Sequence, residues 1–130
     1  MTRRVWLIAL MSCWVTVLNP AAAGADTAAG KATFEGLCVN CHGPLGKGDG
    51  PAGIDILPAP RDFTVGEFKF DADADGTPGT DADLALVIRD GASVYGGNPL
   101  MAPWRQLPEK DIHDVIAYIR TLSKSESAAP

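Results

Sequence analysis

The sequence predicts a small all-α domain, because helical patterns recur along it and no run is long enough to predict a strand. The alternation of polar and aromatic residues at 67–70 covers only four positions. Stretches rich in glycine and proline separate the helical segments and are predicted to be loops. The clearest pattern is an apolar helical face formed by Ile112, Val115, Ile116, Ile119 and Leu122, with Tyr118 on its flank.

The first 25 of the 130 residues are interpreted as a secretory signal peptide. A basic start precedes an apolar run over 5–18, and Asn19–Pro20 and a group of small residues follow it. This run of about 14 residues is short for a membrane-spanning helix, which needs about 20. We therefore expect cleavage after residue 23 or 25, a periplasmic location and no stable membrane insertion, with a retained anchor as the alternative.

Cleavage would leave a domain over residues 26–123 and a flexible polar tail over 124–130. It would also remove Cys13, two of the three methionines and two arginines, so that 9 Lys and Arg would face 16 Asp and Glu, a net charge of −7. Such an acidic domain disfavours nucleic acid and anionic membranes as partners. It favours redox partner proteins with a basic docking face.

The first predicted helix leads into the two remaining cysteines, with Asp26 or Thr27 as its N-cap. Gly30, Phe34 and Cys38 are spaced four apart and therefore share one helical face. A glycine on this face allows a second helix to approach closely, although it could also be only a weak point in the helix.

The run Cys38-Val39-Asn40-Cys41-His42 has the pattern C-x-x-C-H, which is typical of covalent attachment of a c-type haem. The two thiols can form thioethers with the haem vinyl groups, and the neutral imidazole can ligate the iron. A thioredoxin-like thiol pair and half of a zinc site are the alternatives for C-x-x-C alone, but neither requires the adjoining histidine.

Residues 43–53 include five glycines and two prolines and are predicted to be a loop that lies close against the cofactor. A proline carbonyl in this loop could accept the second ring N–H of His42 and fix its orientation. We expect Pro51 to supply this carbonyl, with Pro44 as the second choice.

The acidic segment 71–76 matches the first half of a calcium-binding loop, D-x-D-x-D-G. Its twelfth position would be Ala82, where calcium needs a glutamate, so a solvated acidic turn is the favoured interpretation. Thr80 and Asp83 form a capping box for a short helix that we expect to end at Gly91.

The second axial ligand of a haem iron has to come from elsewhere in the chain. Met101 is the only methionine left after cleavage, and Pro99 and Pro103 bracket it in a loop. A last helix beginning at Pro108 would place His113 away from the centre of its apolar face. These features favour Met101 over His113. A thioether ligand raises the haem potential, and six-coordinate iron leaves no place for a substrate, which points to electron transfer.

These features resemble the class I cytochrome c family, in particular small monohaem bacterial cytochromes c, over nearly the whole mature chain. The resemblance implies that the first and last helices cross and that loops wrap one covalent haem. It implies haem attachment to Cys38 and Cys41 and axial ligation by His42 and Met101. The matching features are the Gly30…Phe34…Cys38-x-x-Cys41-His42 spacing, the loop ending at Gly50–Pro51, Met101 followed by Pro103 and Trp104, and the closing helix at 115–119.

The resemblance also suggests Arg61 and Trp104 for hydrogen bonds to the haem propionates. We predict a periplasmic electron carrier that is not itself an enzyme and that docks transiently through an exposed haem edge. A haem-bearing electron-transfer subunit of a larger dehydrogenase or reductase complex is the alternative. A sensor or peroxidase-like enzyme with an open iron would require that Met101 does not ligate.

Overall fold

The computed structural model describes residues 24–127, with side chains through residue 123, so the predicted signal peptide lies almost wholly outside the described residues. This part of the chain contains helices and loops and no strand, which confirms the all-α prediction. No helix within it is long and apolar enough to cross a membrane. The helices are α1 (Thr27–Leu37), α2 (Val39–His42), α3 (Asp81–Asp90) and α4 (Glu109–Ser127), with a short 3₁₀ helix at Ala92–Tyr95.

Asp26 caps the start of helix α1, and its carboxylate accepts hydrogen bonds from the backbone N–H groups of Ala28 and Ala29 at 2.9 and 3.2 Å. These bonds satisfy donors that have no partner inside the helix. The backbone N–H of Asp26 also donates to Asp114 Oδ1 at 2.7 Å, which ties the start of α1 to α4. The helix ends at Leu37, so the two cysteines and the histidine do not continue it but form the separate turn around α2.

Helices α1 and α4 cross at Gly30. A Cβ atom at this position would lie 1.9 Å from the backbone oxygen of Asp114, so the close approach requires glycine. Next to the crossing, Phe34 is completely buried and its ring centroid lies 5.3 Å from that of Tyr118. The predicted apolar face of α4 forms one side of the core, whose buried members are Phe34, Phe63, Leu84, Ala85, Ile112, Val115, Ile116 and Ile119.

Helix α3 has the predicted capping box: Thr80 Oγ1 accepts from the Asp83 N–H, and the Asp83 carboxylate accepts from the Thr80 N–H. The other Asp83 oxygen accepts from the N–H groups of Ala72 and Asp73. One buried carboxylate therefore holds the acidic segment 71–76 against the start of α3.

The remaining boundaries differ slightly from the predicted ones. Helix α3 ends at Gly91 as expected, but a 3₁₀ helix that was not predicted follows it at once. Helix α4 begins at Glu109, one residue after Pro108, and extends to Ser127, four residues into the segment expected to be a tail. The apolar face predicted the position of α4, whereas its polar last turn carries no such signal.

Candidate functional site

A cavity of about 440 Å³ lies between α2, α3 and the loops 56–70 and 96–104. Both cysteines of the motif, His42 and Met101 all line this cavity. Two further predicted residues, Arg61 and Trp104, line it as well, whereas Pro51 does not. Most of the remaining wall is aliphatic or aromatic and includes Leu37, Ile56, Phe63, Phe68, Phe70, Leu84, Val87, Ile88 and Leu100.

The glycine-rich loop folds back onto the carbonyl groups of α2. The N–H groups of Gly48 and Gly50 donate to the carbonyls of His42 and Cys41 at 2.8 and 3.2 Å. A Cβ at Gly50 would lie 2.5 Å from the Asn40 oxygen, so a larger residue could not approach this closely. The loop thus satisfies the C-terminal carbonyls of a one-turn helix and leaves the cavity side of the motif open.

The imidazole of His42 is buried, and its Nδ1 lies 3.0 Å from the carbonyl oxygen of Arg61. A carbonyl can only accept, so Nδ1 carries the proton and Nε2 keeps its lone pair for a metal ion. Burial lowers the pKa of His42, and the hydrogen bond to Arg61 offsets this only in part. The side chain is therefore the neutral imidazole that metal ligation requires.

The predicted role of Pro51 as acceptor for His42 is corrected by this hydrogen bond. Pro51 and the second choice, Pro44, are both exposed, and the acceptor is the carbonyl of Arg61, which follows Pro60. The glycine-rich loop bonds to the α2 backbone instead, and the segment after Pro60 crosses the edge of the ring. A Cβ at Gly48 would lie 2.4 Å from the Pro60 oxygen, which shows how closely the two segments pack.

The thiol of Cys38 does not have the properties of a redox-active nucleophile. Burial, together with the neighbouring Cys41, raises the pKa of Cys38 to about 11. A reactive thiolate in a thioredoxin-like site needs the opposite shift. Among the described residues, the one group of three or more His, Cys, Asp or Glu side chains close enough to share a metal ion is Asp71, Asp73 and Asp83, which does not include the cysteines. Neither alternative for C-x-x-C is therefore supported.

Met101 is half-buried, and its backbone is held by hydrogen bonds from its N–H to the Asn98 carbonyl at 3.1 Å and from the Ala92 N–H to its own carbonyl at 3.3 Å. His113, the competing ligand candidate, is exposed on α4, where its Nε2 lies 3.2 Å from Glu109 Oε1. It does not line the cavity. Of these two side chains, Met101 is the one that shares a cavity with His42.

The family model for cytochrome c matches residues 27–123, which is most of the chain. The chain belongs to the cytochrome c family. It therefore carries covalently bound haem c and serves in electron transfer. No curated protein sequence gives a significant match. Among solved structures, the cytochrome is similar to a chain of the Kuenenia stuttgartiensis reducing HAO-like protein complex Kustc0457/Kustc0458, with 32% sequence identity and a TM-score of 0.64. The match covers 81% of this cytochrome and 46% of that chain, so the cytochrome spans less than half of its neighbour's length.

The residues of this cytochrome fit a haem in the cavity. The volume lies within the range of about 300–1,000 Å³ that ligand sites have, and the wall is largely apolar, as a porphyrin requires. Arg61 Nη2 is buried and has no hydrogen-bond partner among the described residues, although Nε of the same side chain donates to the Glu67 carbonyl. An unpaired buried guanidinium N–H is costly, and a haem propionate would supply the missing acceptor.

Two residues that the sequence did not single out contribute to the site of the cytochrome. Phe63 stacks on the His42 ring, and Asn98 joins the two loops at the cavity mouth. The side chain of Asn98 donates to the carbonyls of Leu57 and Pro58 at 3.1 and 3.3 Å. The dipeptide Asn98–Pro99 signals a turn, but its partners lie about 40 positions away and have no local signal.

Proposed function

We propose that this cytochrome is a periplasmic one-electron carrier in which Cys38 and Cys41 attach the haem and His42 and Met101 ligate its iron. The observation that carries the proposal is that all four side chains line one cavity. The haem iron supplies the one-electron redox couple. The protein residues attach it, set its potential and exclude solvent and substrates from it.

Each proposed ligand has a defined effect on the potential. Donation from His42 Nδ1 to the Arg61 carbonyl orients the imidazole and makes Nε2 a stronger donor. The Met101 thioether favours ferrous iron and raises the potential. With both His42 and Met101 as iron ligands, no position would remain for a substrate, so the cytochrome would act as a carrier and not as an enzyme on its own.

Arg61 and Trp104 are proposed to bind the haem propionates. The buried Nη2 of Arg61 needs an acceptor, and a carboxylate is the strongest one available to a guanidinium. Trp104 lines the same cavity and can donate through its indole N–H. The backbone N–H of Trp104 bonds to the Ile88 carbonyl at 3.0 Å, which anchors the residue to the end of α3.

The partner is proposed to be a redox protein whose docking face combines apolar and basic side chains. Leu57 and Leu100 are 88% and 66% exposed on the two loops that Asn98 connects at the cavity mouth. The acidic segment 71–76 begins directly after Phe70, which lines the cavity. Exposed leucines on a protein of net negative charge fit a partner with the opposite charge and a small apolar contact, which suits transient exchange.

The optical spectrum of the purified holoprotein tests axial ligation. An oxidised sample should show the weak methionine–iron band near about 695 nm at neutral pH. It should also resist cyanide and carbon monoxide. A missing band together with ready binding of either ligand would refute the carrier and favour a sensor or peroxidase-like enzyme.

The mass of the mature protein tests export and attachment together, because it should equal the mass of the sequence from residue 24 or 26 plus that of one haem.

An electrode with defined surface groups tests the docking face. The cytochrome should exchange electrons faster with a surface of mixed ammonium and methyl groups than with a carboxylate surface, and added salt should slow the exchange. Leu100→Ser should weaken the response several-fold, because Leu100 is 66% exposed and lines the cavity. Val65→Ser is the matched control, because Val65 is 58% exposed but does not line the cavity. Equal electron-exchange rates of the two variants, or faster exchange of the wild type with the carboxylate surface, would contradict the proposed docking face.

A second candidate is a haem-bearing subunit of a larger oxidoreductase complex. It is favoured by the similarity to a chain of a reducing HAO-like protein complex, of which this cytochrome covers less than half. Purification from the native source without an affinity tag distinguishes between the free carrier and the complex subunit. A catalytic chain that stays bound in stoichiometric amount through gel filtration would establish the subunit. A monomer that reduces or oxidises several acceptors would establish the carrier.

A further inference from the structure

The ring of Phe63 lies against the face of the His42 imidazole. The two ring centroids are 4.5 Å apart, and the ring planes are inclined by 20°. Both side chains are buried. This stacking contact is independent of the hydrogen bond between His42 Nδ1 and the Arg61 carbonyl, which acts at the edge of the imidazole. His42 is therefore restrained at one edge and on one face.

Phe63 is itself held from several directions. Its ring meets the Phe34 ring edge-on at a centroid distance of 6.2 Å and lies nearly parallel to the Phe68 ring at 6.1 Å. Its backbone N–H donates to the Gly46 carbonyl at 2.7 Å. A ring fixed by core contacts restrains its neighbour, because movement of either ring would open a gap in a close-packed interior.

We propose that Phe63 is a positioning residue that fixes the plane of the His42 imidazole and thereby tunes the redox and magnetic properties of the haem. The inference rests on the proposed function, since it takes His42 as an iron ligand. A single hydrogen bond at Nδ1 leaves the imidazole able to tilt about the line from donor to acceptor. A flat ring on its face blocks that tilt. Arg61 and Phe63 are two positions apart, so one short segment supplies both restraints.

The orientation of an axial imidazole matters because it sets the overlap between the ring π orbitals and the iron d orbitals. That overlap determines the g values of low-spin ferric haem. The strength of the Nδ1 hydrogen bond and the exclusion of water from the imidazole help to set the redox potential of the haem. Loss of the Phe63 ring would loosen the imidazole and admit water beside it. Water favours the more highly charged ferric state, so the potential should fall.

Holoprotein carrying Phe63→Leu tests the proposal, with Phe34→Leu as the matched control. Phe34 belongs to the same aromatic cluster and is completely buried, but it neither stacks on His42 nor lines the cavity. Both substitutions remove a similar volume from the core, so both should lower the melting temperature. Only Phe63→Leu should shift the g values and lower the midpoint potential.

Three outcomes decide the proposal. Unchanged g values and potential in Phe63→Leu holoprotein that keeps its methionine–iron band would overturn the positioning role and leave the proposed function intact. Equal shifts in both variants would also overturn it, because they would report general loss of packing. If Phe63→Leu yields too little holoprotein, reduced wild-type protein must show nuclear Overhauser contacts between the Phe63 ring and the His42 imidazole protons, and their absence would overturn it.

Discussion

His42 donates its Nδ1 proton to a carbonyl 19 positions further along the chain, and an aromatic ring from the same downstream segment covers its face. The motif therefore supplies the imidazole, but residues outside it determine the tautomer and the orientation. Met101 is likewise positioned by other residues, since its place in the cavity wall depends on backbone hydrogen bonds to Ala92 and Asn98. Single side chains in this site act through contacts that are distant in sequence.

Replacing Met101 tests the second axial ligand directly. Met101→His should keep a six-coordinate haem and lower the midpoint potential by on the order of 0.1 V or more, within the ~0.8 V range over which axial ligands act. The reason is that imidazole stabilises ferric iron better than a thioether does. Spectroelectrochemical titration measures the change. His113→Gln is the control and should leave the potential unaltered, because His113 is exposed on α4. A potential that does not move in Met101→His would exclude Met101 as the ligand.

Asp83 should make the stability of the cytochrome depend on pH in the acidic range. Burial raises its pKa, but hydrogen bonds from Thr80, Asp73 and Ala72 outweigh this and lower the pKa from the usual 3.8 of an aspartate to about 2. A carboxyl group with a lowered pKa stabilises the fold above its unfolded-state pKa. This contribution is lost as the pH falls from about 4 through 2.

The measurement for Asp83 is thermal unfolding of the holoprotein between pH 6 and pH 2. The wild type should lose melting temperature more steeply below about pH 4 than Asp83→Asn does. The variant should also be less stable at pH 6, because the amide cannot accept all the bonds that the carboxylate accepts. Parallel curves for the two proteins would show that Asp83 does not titrate with folding.

The crossing of α1 and α4 is the contact that organises the helices. It combines a glycine, a buried phenylalanine and the hydrogen bond from the Asp26 N–H to Asp114 Oδ1. The ion pair between Lys110 and the buried Asp114 adds to it, and the pKa of Asp114 is lowered by that lysine and by the Asp26 N–H. The first turn of α1 is thus fixed to α4 by a charge-assisted contact next to close packing.

Two glycines of α1 allow a matched comparison at this crossing. A Cβ at Gly30 would lie 1.9 Å from the Asp114 oxygen, whereas a Cβ at Gly36 would meet nothing within 4 Å. Gly30→Ala should therefore destabilise the holoprotein by about 1–3 kcal/mol or more through overpacking. Gly36→Ala should stabilise it by up to about 1 kcal/mol, because alanine has the higher helix propensity. Denaturant titration measures both, and a Gly30→Ala variant as stable as Gly36→Ala would contradict the close crossing.

The whole molecule is organised around the haem cavity, since helices, loops and motif all contribute to its wall. The wall of this cavity of about 440 Å³ is largely apolar, and without the haem that apolar surface would be exposed to water. The haem therefore belongs to the hydrophobic core of the cytochrome.

Removal of the haem should accordingly unfold the protein. The double variant Cys38→Ala, Cys41→Ala should carry no covalent haem after denaturing extraction, and its circular dichroism should show little helix and no cooperative melt. Cys38→Ala alone retains one thiol and is the control, with one thioether and a folded state of reduced stability. A haem-free double variant that melts cooperatively near the wild-type temperature would show that the core is complete without its cofactor.

The sequence by itself predicted the positions of α1, α3 and α4, contained the haem motif and pointed to His42 and Met101 as the proposed ligands. These features are local: caps, a period of 3.6 residues and fixed spacings depend on neighbours within a few positions. It predicted the capping box at Thr80 and the face of α4 for this reason. The membership of the cytochrome c family follows from the same local features.

Only the tertiary structure decided which groups complete the site. The acceptor for His42 is Arg61 and not Pro51, the stacking ring is Phe63, and the loops at the cavity mouth meet at Asn98. Each of these contacts joins segments 19 or more positions apart. Loops rich in glycine and proline have no periodicity, so their paths depend on which distant carbonyls and rings they meet when the chain closes around its core.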